Sequence, residues 1–348
     1  MQATTPQRPT DHDATTPAAG RLPTTMQAVV QDRYGDADVL ELRTVARPEP
    51  GAGEVLIEVH AAGVDRGVEH LMTGEPYLVR LGFGLRRPRQ PVPGFDVAGR
   101  VVALGADTTR FRVGDEVMGI ATGAYADYAV AKEAKLVHKP DRLGFVEAAV
   151  VPISAGTAWQ ALTDQGHVQP GERVLVLGAS GGVGSYAVQL AVALGARVTG
   201  VASAAKADLV LGLGAERVLD HRTEDIAADG PVYDLIIDAG GRNPIRRLRR
   251  ALTPRGRLVI VGGEDGNKLT GGIGRQLRAS LLSPFIRQDL GFFLQKESAE
   301  HIGEVLAHIE AGAVTPAVSD TFALSQAPDS LRALHAGAVA GKAAIVIR

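Results

Sequence analysis

A run of aliphatic residues followed by closely spaced glycines stands near the middle of the chain. Residues 174 to 177 (VLVL) are typical of a strand that is buried on both faces. The apolar spacing from Ala187 to Leu194 then fits a helix. The pattern therefore predicts a strand, a turn and a helix in direct succession. The glycines between the strand and the helix are Gly178, Gly181, Gly182 and Gly184.

The same alternation of strand and helix continues along the chain. Apolar runs at residues 198–202, 217–219, 233–238 and 258–261 predict further strands, because continuous apolar runs suit a parallel sheet that is covered on both faces. Helical patterns at 204–213 and 244–252 lie between them. This region predicts an α/β domain with a doubly wound parallel sheet.

The flanking regions have a different pattern. Short alternating runs separated by glycine and proline extend from residue 26 to about residue 140, which is typical of a β-rich domain. Strands near 318–324 and 342–347, with a helix near 325–335, predict a return to that domain. We therefore divide the chain in four. The divisions are a tail over 1–25, a β-rich domain over 26–150, an α/β domain over 151–285 and the returning segment over 286–348.

Composition narrows the class of protein. The 348 residues carry a net charge of −2 and no cysteine, which excludes thiol catalysis, disulfides and thiolate-bound zinc. The first 25 residues contain no apolar segment long enough for a secretory signal, so we expect a disordered tail and a cytoplasmic protein without a membrane partner. Met26 is a possible alternative start. Arginine groups at 86–89 and 246–250 are interpreted as solvated faces, and no nucleic-acid partner is expected.

The glycine turn predicts a dinucleotide site. Gly178 permits a tight turn after the strand, while Gly181 and Gly182 let the backbone approach the phosphate oxygens. Gly184 lets the helix pack closely on the strand, and the amides of the first helical turn then face the anion. Ser180 and Val183 belong to the same loop.

Several local sequences, in this order, resemble the medium-chain dehydrogenase/reductase superfamily, in its zinc-independent quinone oxidoreductase-like branch. The resemblance covers about residues 26 to 348. It implies a GroES-like catalytic domain interrupted by a Rossmann domain, with the active site between them. The matching segments are Ala61–Asp65 (AAGVD), Pro93–Gly99 (PGFDVAG), Phe111–Gly119 (FRVGDEVMG), Gly123–Tyr128 (GAYADY), Gly178–Gly184 and Gly341–Val346 (GKAAIV).

The departures from zinc-dependent relatives are equally informative. Asp65 stands where those enzymes carry a catalytic cysteine, and Phe95 replaces their histidine, although Asp96 keeps an acid. The lobe that holds four cysteines in them is missing. We therefore expect no metal, and without a Lewis acid the easier reaction is hydride delivery to an electron-poor carbon.

NADPH is the expected cofactor. An Asp or Glu at the end of the second strand of the fold selects NAD, but this position is Ser203. Lys206, His221 and Arg222 lie nearby in the sequence and suit a 2′-phosphate; the alternative is that Lys206 and Arg222 are surface charges. We also expect cofactor contacts from the following residues. They are Thr157, Ser180, Val183, Val261, Gly262 and Lys342.

Asp65 and Tyr77 are the candidate catalytic residues. Asp65 stands where relatives place an Asn or Cys beside the nicotinamide, although a turn cap is nearly as good an interpretation. Tyr77 follows at about the spacing of a tyrosine proton donor in enoyl reductase relatives, and its alternative is a wall residue. The segment 78–90 looks like an insertion beside the cleft entrance that shapes the substrate pocket. The segment 266–288 is long for a connection and is a candidate cover of the site or a candidate subunit contact.

Three functional hypotheses remain at this point. The first is an NADPH-dependent, zinc-independent reductase of a quinone or an α,β-unsaturated carbonyl compound, active as a homodimer. The second is a pathway-specific reductase or dehydrogenase of a bulky metabolite. The third is a nucleotide-binding sensor or scaffold with little catalysis.

Overall fold

The computed structural model of the protein describes residues 22–262 and 267–348. Within these residues the strands are β1 (Thr25–Val30), β2 (Glu41–Ala46), β3 (Glu54–Val64), β4 (Asp96–Leu104), β5 (Glu116–Ile120), β6 (Tyr128–Lys132), β7 (Leu136–His138), β8 (Arg173–Leu177), β9 (Arg197–Ala202), β10 (Arg217–Asp220), β11 (Tyr233–Asp238), β12 (Leu252–Ile260), β13 (Asp289–Phe292), β14 (Val318–Ala323) and β15 (Lys342–Val346). The α-helices are α1 (Arg66–Thr73), α2 (Arg80–Phe83), α3 (Phe145–Ala148), α4 (Pro152–Gln160), α5 (Gly182–Ala193), α6 (Ala207–Gly212), α7 (Ile245–Ala251), α8 (Ile273–Leu282), α9 (Ala299–Glu310) and α10 (Ala327–His335).

Six strands form one parallel sheet in the order β10-β9-β8-β11-β12-β13. Alternate residues of β8 point to opposite faces: Val174 and Val176 join the core beneath α4, α5 and α9, while Leu175 and Leu177 join the core beneath α7 and α8. Both faces are therefore covered, which explains why the strand sequences are continuously apolar. The expected doubly wound Rossmann-like domain is confirmed.

A second, mainly antiparallel sheet has the order β14-β15-β3-β4-β5-β7, with β6 paired to β3. The last strand of the chain, β15, lies antiparallel to β3, with Ala343 opposite Val64. The return of the chain to its first domain is thus built into the hydrogen bonding of this sheet. The fold is the expected GroES-like domain combined with a Rossmann-like domain.

Two of the expected domain limits differ from the structure. The return was placed at residue 286, but β13 still belongs to the parallel sheet because Leu290 is buried in its core, and α9 packs on α4. The second sheet resumes at β14. Residues 1–21 of the expected tail lie outside the described residues, whereas Leu22 packs against the β1–β2 ribbon and β1 begins at Thr25.

None of the helices within residues 22–262 and 267–348 is both long enough and apolar enough to span a bilayer.

Candidate active site

The glycine loop joins β8 to α5 at the carboxyl edge of the parallel sheet. Gly178 adopts a φ of 73°, which favours glycine. A Cβ on Gly184 would lie 2.0 Å from the carbonyl oxygen of Gly178, so the helix and the strand approach too closely for any side chain. α5 begins after the N-cap Gly181 without a side-chain cap. The amides of its first turn have no intrahelical acceptor, so the loop offers backbone donors to an anion.

The space above Gly181 is a second reason why the loop fits a nucleotide phosphate. A Cβ there would meet only the oxygen of Gly178, at 3.3 Å, so the backbone is open to an incoming ligand. Gly182 differs, because a Cβ there would lie 3.0 Å from Cδ of Lys342 and 3.1 Å from Oγ of Ser154. Gly182 therefore faces the protein, and Gly181 faces the open side of the loop.

Other predicted cofactor residues follow neighbouring strands at the same edge. Ser203 follows β9, and His221 and Arg222 follow β10, where the His221 amide donates to the oxygen of Ala202 at 3.1 Å. Val261 and Gly262 follow β12, and both amides donate to the oxygen of Asp238, at 3.0 and 3.1 Å. The parallel sheet brings these residues to one edge together with the glycine loop, which is where ligands bind in open α/β sheets.

Four polar side chains are buried together beside the loop, and we call them the polar cluster: Asp65, Asp96, Ser154 and Lys342. The antiparallel pairing of β15 with β3 brings Lys342 next to Asp65, although the two are 277 residues apart. Lys342 is 1% exposed and its Nζ forms an ion pair with Asp65. The same Nζ donates to Ser154 Oγ at 3.1 Å and lies 3.7 Å from Asp96 Oδ2.

The polar cluster also joins the two domains. Ser154 lies on α4, which packs against α5, whereas Asp65, Asp96 and Lys342 belong to the antiparallel sheet or its ends. Asp96 accepts a hydrogen bond from the amide of Ile153 at 2.9 Å. The amide of Gly341 donates to the oxygen of Ser180 at 2.8 Å, which ties the GKAAIV motif directly to the glycine loop. The cluster therefore sets where the two domains meet.

Burial raises the pKa of Asp96 well above its ordinary value, and the nearby charge of Asp65 acts in the same direction. The positive charge of Lys342 opposes both effects. Burial therefore favours the neutral form of Asp96, and Lys342 forms its close ion pair with Asp65. Asp65 is buried, at 6% exposure, yet its Oδ2 has no hydrogen-bond partner among the described residues.

Asp65 does not act as the turn cap that the sequence left open. It occupies the N-cap position of α1, but its side chain makes no cap hydrogen bond. Its carboxylate turns instead to Lys342 and accepts from Ser154 Oγ at 3.2 Å. The sequence placed both Asp65 and Lys342 at the site without relating them, and it missed Ser154 altogether.

Lys206 differs from the expectation. Its Nζ donates to the oxygens of Gly337 and Val339, at 2.8 and 2.6 Å, both beyond α10. Burial lowers the pKa of Lys206, which is the effect expected where an ammonium group is partly withdrawn from water. Lys206 thus holds the returning segment on the Rossmann-like domain. Arg222 is exposed, and its side chain forms no ion pair with any described residue.

Tyr77 lies in a second contact between the domains, outside the polar cluster. The amides of Tyr77 and Leu78 donate to the oxygens of Lys268 and Leu269, at 2.7 and 3.2 Å. We call these four residues the interdomain bridge. Tyr77 is 41% exposed, and Arg80 stacks on its ring at 4.5 Å. The segments 78–90 and 266–288 therefore meet each other at this bridge. Residues 263–266 lie outside the described residues.

Asp238 and Arg275 form a buried ion pair that the sequence did not indicate. Asp238 ends β11 and is fully buried, while Arg275 reaches it from α8. Arg275 also donates to the oxygen of Asn243 at 3.0 Å, and burial lowers the pKa of its guanidinium. The pair fixes α8 against the carboxyl edge of the sheet. The acid at the end of the YDLIID strand was a usable sequence signal, but nothing marked Arg275 as its partner.

The remaining candidate, Thr157, uses its hydroxyl inside its own helix, donating to the oxygen of Ile153 at 2.7 Å. Phe95 packs against the core of the antiparallel sheet. Among the described residues, no group of three or more His, Asp or Glu side chains is arranged to hold a metal ion.

Comparison with known proteins places this geometry in context. Residues 51–141 match the family model of the alcohol dehydrogenase GroES-like domain, and residues 213–345 match that of zinc-binding dehydrogenases. Human quinone oxidoreductase is 31% identical over 334 residues, which cover 92% of this chain and 98% of that protein.

Two solved structures have the same fold over nearly their full lengths. The CurK enoyl reductase has a TM-score of 0.82 at 26% identity, covering 94% of this chain and 100% of that one. A mycobacterial protein in complex with NADPH has a TM-score of 0.79, also at 26% identity, covering 92% and 100%.

Proposed function

Because the chain belongs to the quinone oxidoreductase-like branch of the medium-chain dehydrogenase/reductase superfamily, we propose that it reduces a quinone or an α,β-unsaturated carbonyl compound with NADPH and without zinc. The family uses a nicotinamide cofactor. The observation that carries the proposal is the juxtaposition of an open glycine loop and a buried polar cluster at the junction of the two domains. When bound, NADPH supplies a hydride to an electron-poor carbon.

The residues of the chain then have separate tasks. The backbone amides after Gly181 hold the pyrophosphate, and Ser203 leaves room for a phosphate on the adenosine ribose, where an acid would repel it. Arg222 supplies the cation for that phosphate in place of Lys206, whose ammonium group is engaged with two carbonyls. The NADPH complex of the mycobacterial relative supports this choice of cofactor.

The chemistry at the substrate is divided between Tyr77 and Asp65. In the reduction of an enone, negative charge would develop on the carbonyl oxygen, and Tyr77 would donate its phenolic proton to that oxygen. The resulting enol would then take a solvent proton at its α-carbon and release the proton on its oxygen to solvent. Solvent then returns a proton to Tyr77, which is exposed. Asp65, held by Lys342, positions the cofactor side of the site.

A reaction without zinc follows from the residues at the ligand positions. Asp65 replaces the cysteine of zinc-dependent relatives, and Lys342 already supplies the positive charge that balances it. Phe95 offers no ligand atom. We expect substoichiometric zinc in purified protein and unchanged turnover after chelation. Stoichiometric zinc that turnover requires would contradict this part of the proposal.

The cofactor assignment is tested with Arg222→Gln. We expect the Kd for NADPH to rise about tenfold and the Kd for NADH to stay unchanged, because only NADPH carries the extra phosphate that a guanidinium binds. Arg112→Gln, an exposed arginine of the other domain, is the matched control. Equal losses for both cofactors would show that Arg222 does not read the phosphate.

The activity itself is tested by NADPH oxidation with a panel of benzoquinones, naphthoquinones and aryl enones. Turnover with at least one class supports the proposal. Tight NADPH binding without turnover of any member would instead favour the sensor or scaffold hypothesis.

A further inference from the structure

A cavity of about 510 Å³ lies on the Rossmann-like domain, outside the site described above. It is lined by Arg246, Arg249, Arg250, Pro254, Ile286, Arg287 and Gln288. Its volume is within the range of small-molecule sites. Four of its seven lining residues are arginines and none is acidic, in a chain whose net charge is −2. The local charge is therefore opposite in sign to that of the whole protein.

The cavity is separate from the cofactor loop. It is formed by α7 from Arg246 to Arg250, by the start of β12 and by the residues that precede β13 at the amino edge of the parallel sheet. The glycine loop lies at the carboxyl edge. The five residues of β8 alone span about 15 Å between these edges, so one phosphate group cannot occupy both places.

The arginines come from two separate segments. Arg249 and Arg250 lie in the last turn of α7, where positive charge also complements the helix dipole. Arg287 lies between α8 and β13, so the dipole of α7 does not explain its presence. Arg246, Arg250 and Arg287 are exposed, and their side chains form no ion pair with a described residue.

One wall of the cavity is held in place by hydrogen bonds. Gln288 donates to the oxygens of Arg249, Leu252 and Thr253, at 3.0, 3.3 and 3.2 Å. Its own oxygen accepts from Nε of Arg249 at 3.0 Å, which restrains that guanidinium. A preorganised guanidinium loses less entropy when it binds an anion.

Two carboxylates of neighbouring segments are engaged elsewhere. Asp225 forms an ion pair with Nε of Arg247 at 2.8 Å and also interacts electrostatically with Arg250. Asp289, directly after Gln288, accepts from Oγ of Ser283 at 3.0 Å. Neither carboxylate lines the cavity.

We propose that this arginine cavity is a second ligand site, which binds a compact di- or triphosphate group. Guanidinium groups bind phosphate oxygens in pairs, so several of them around one concavity suit adjacent phosphates. The concave shape favours a small ligand over an extended polymer, which would need a basic stripe. Pro254 and Ile286 add an apolar wall beside the arginines for a non-phosphate part of the ligand.

The test is isothermal titration of the full chain, saturated with NADPH, with tripolyphosphate and separately with ATP. We expect one site per chain, and Arg246→Gln/Arg287→Gln should weaken the binding of tripolyphosphate by about tenfold or more. Arg33→Gln/Arg112→Gln removes the same charge from exposed positions of the other domain and should leave it unchanged. Tighter binding of ATP than of tripolyphosphate would identify a nucleotide as the source of the phosphates.

Three results would overturn the proposal. The first is an equal loss of affinity in both double variants, which would reflect net charge alone. The second is the absence of saturable tripolyphosphate binding. The third is arginine-dependent binding of an RNA oligonucleotide that tripolyphosphate does not displace, which would assign the surface to nucleic acid. Circular dichroism of each variant distinguishes these results from misfolding.

Discussion

Two of the contacts between the domains, the polar cluster and the interdomain bridge, differ in burial and in chemistry. The polar cluster is almost fully withdrawn from water, with Lys342 at 1% and Asp65 at 6% exposure, and it rests on an ion pair. The interdomain bridge is exposed, with Tyr77 at 41% and Leu269 at 61%, and it rests on two backbone hydrogen bonds and the exposed ion pair of Lys268 with Glu75. A buried ion pair is costly to break, whereas an exposed contact can open at little cost. We infer that the cluster fixes the cofactor side of the site and that the bridge admits the substrate.

Breaking the polar cluster should have the largest effect. Lys342→Met leaves Asp65 as an uncompensated buried charge, so we expect the free energy of unfolding to fall by about 3–5 kcal/mol in denaturant titration. Lys135→Met is the matched control, since it breaks the half-exposed pair with Glu297 and should cost less than about 1 kcal/mol.

The double variant Lys342→Met/Asp65→Asn sharpens this test. It removes both charges, so it should recover much of the stability that Lys342→Met loses. If the double variant is no more stable than Lys342→Met, the loss comes from packing and the cluster does not work as an ion pair.

The glycine loop should show the next largest effect, and on binding instead of stability. Gly181→Val places a branched side chain on the open side of the loop, so we expect the Kd for NADPH to rise about 1,000-fold, equivalent to about 4 kcal/mol. Thermal stability should change little, because N-cap Gly181 has an extended backbone with φ −92°. Gly212→Val, where the added side chain meets no neighbour within 4 Å, is the control. Unchanged NADPH affinity would show that this loop does not bind the phosphates of the cofactor.

Tyr77 tests the other half of the comparison. Tyr77→Phe keeps the ring beneath Arg80 but removes its proton, so enone turnover should fall by about 10- to 1,000-fold while NADPH affinity stays the same. Quinone reduction should be less affected, because water can protonate the charged quinone oxygen. Tyr34→Phe is the control, since Tyr34 also stacks on the guanidinium of Arg80, at 4.5 Å. Equal enone turnover in wild type and Tyr77→Phe would show that Tyr77 only lines the substrate pocket and does not donate the proton.

The most gradual expected effect concerns the pH dependence of stability. Burial raises the pKa of Asp96, so the folded chain keeps a proton that the unfolded chain releases once the pH exceeds the ordinary carboxyl pKa. The stabilisation by protonated Asp96 is therefore complete at low pH and declines as the pH rises toward the raised pKa.

Asp96→Asn cannot ionise and keeps an oxygen for the amide of Ile153. Above the ordinary carboxyl pKa, its unfolding free energy relative to wild type should increase with pH until the raised pKa of Asp96 is reached, by up to about 1.4 kcal/mol per pH unit. A difference that does not vary with pH would show that Asp96 has an ordinary pKa. Asp141→Asn, at an exposed position, is the control.

The sequence predicted those features that depend on local chain geometry. The VLVL and YDLIID strands and the glycine turn were found because their apolar and glycine spacing is set by neighbours within a few residues. The family resemblance added the domain order. The limit at residue 286 was misplaced because β13 is only four residues long and carries a weak pattern.

The hydrogen-bond and ion-pair partners of the site residues could not be predicted from the sequence, for a different reason. Lys206 binds carbonyls 131 and 133 residues away, and Arg275 reaches Asp238 across 37 residues. Backbone oxygens have no sequence signature, so no residue type could mark Gly337 or Val339 as acceptors. The register of β15 on β3 decides that Lys342 meets Asp65, and register follows from the assembled sheet.

The most direct test of hydride transfer uses NADPH that is deuterated at the transferable position of the nicotinamide, with an enone as substrate. The account predicts deuterium at the β-carbon of the product and a solvent proton at the α-carbon, both visible by NMR. It also predicts that chelator leaves the deuterium incorporation unchanged. Reduction with no deuterium at the β-carbon, or incorporation that is lost with zinc removal, would contradict it.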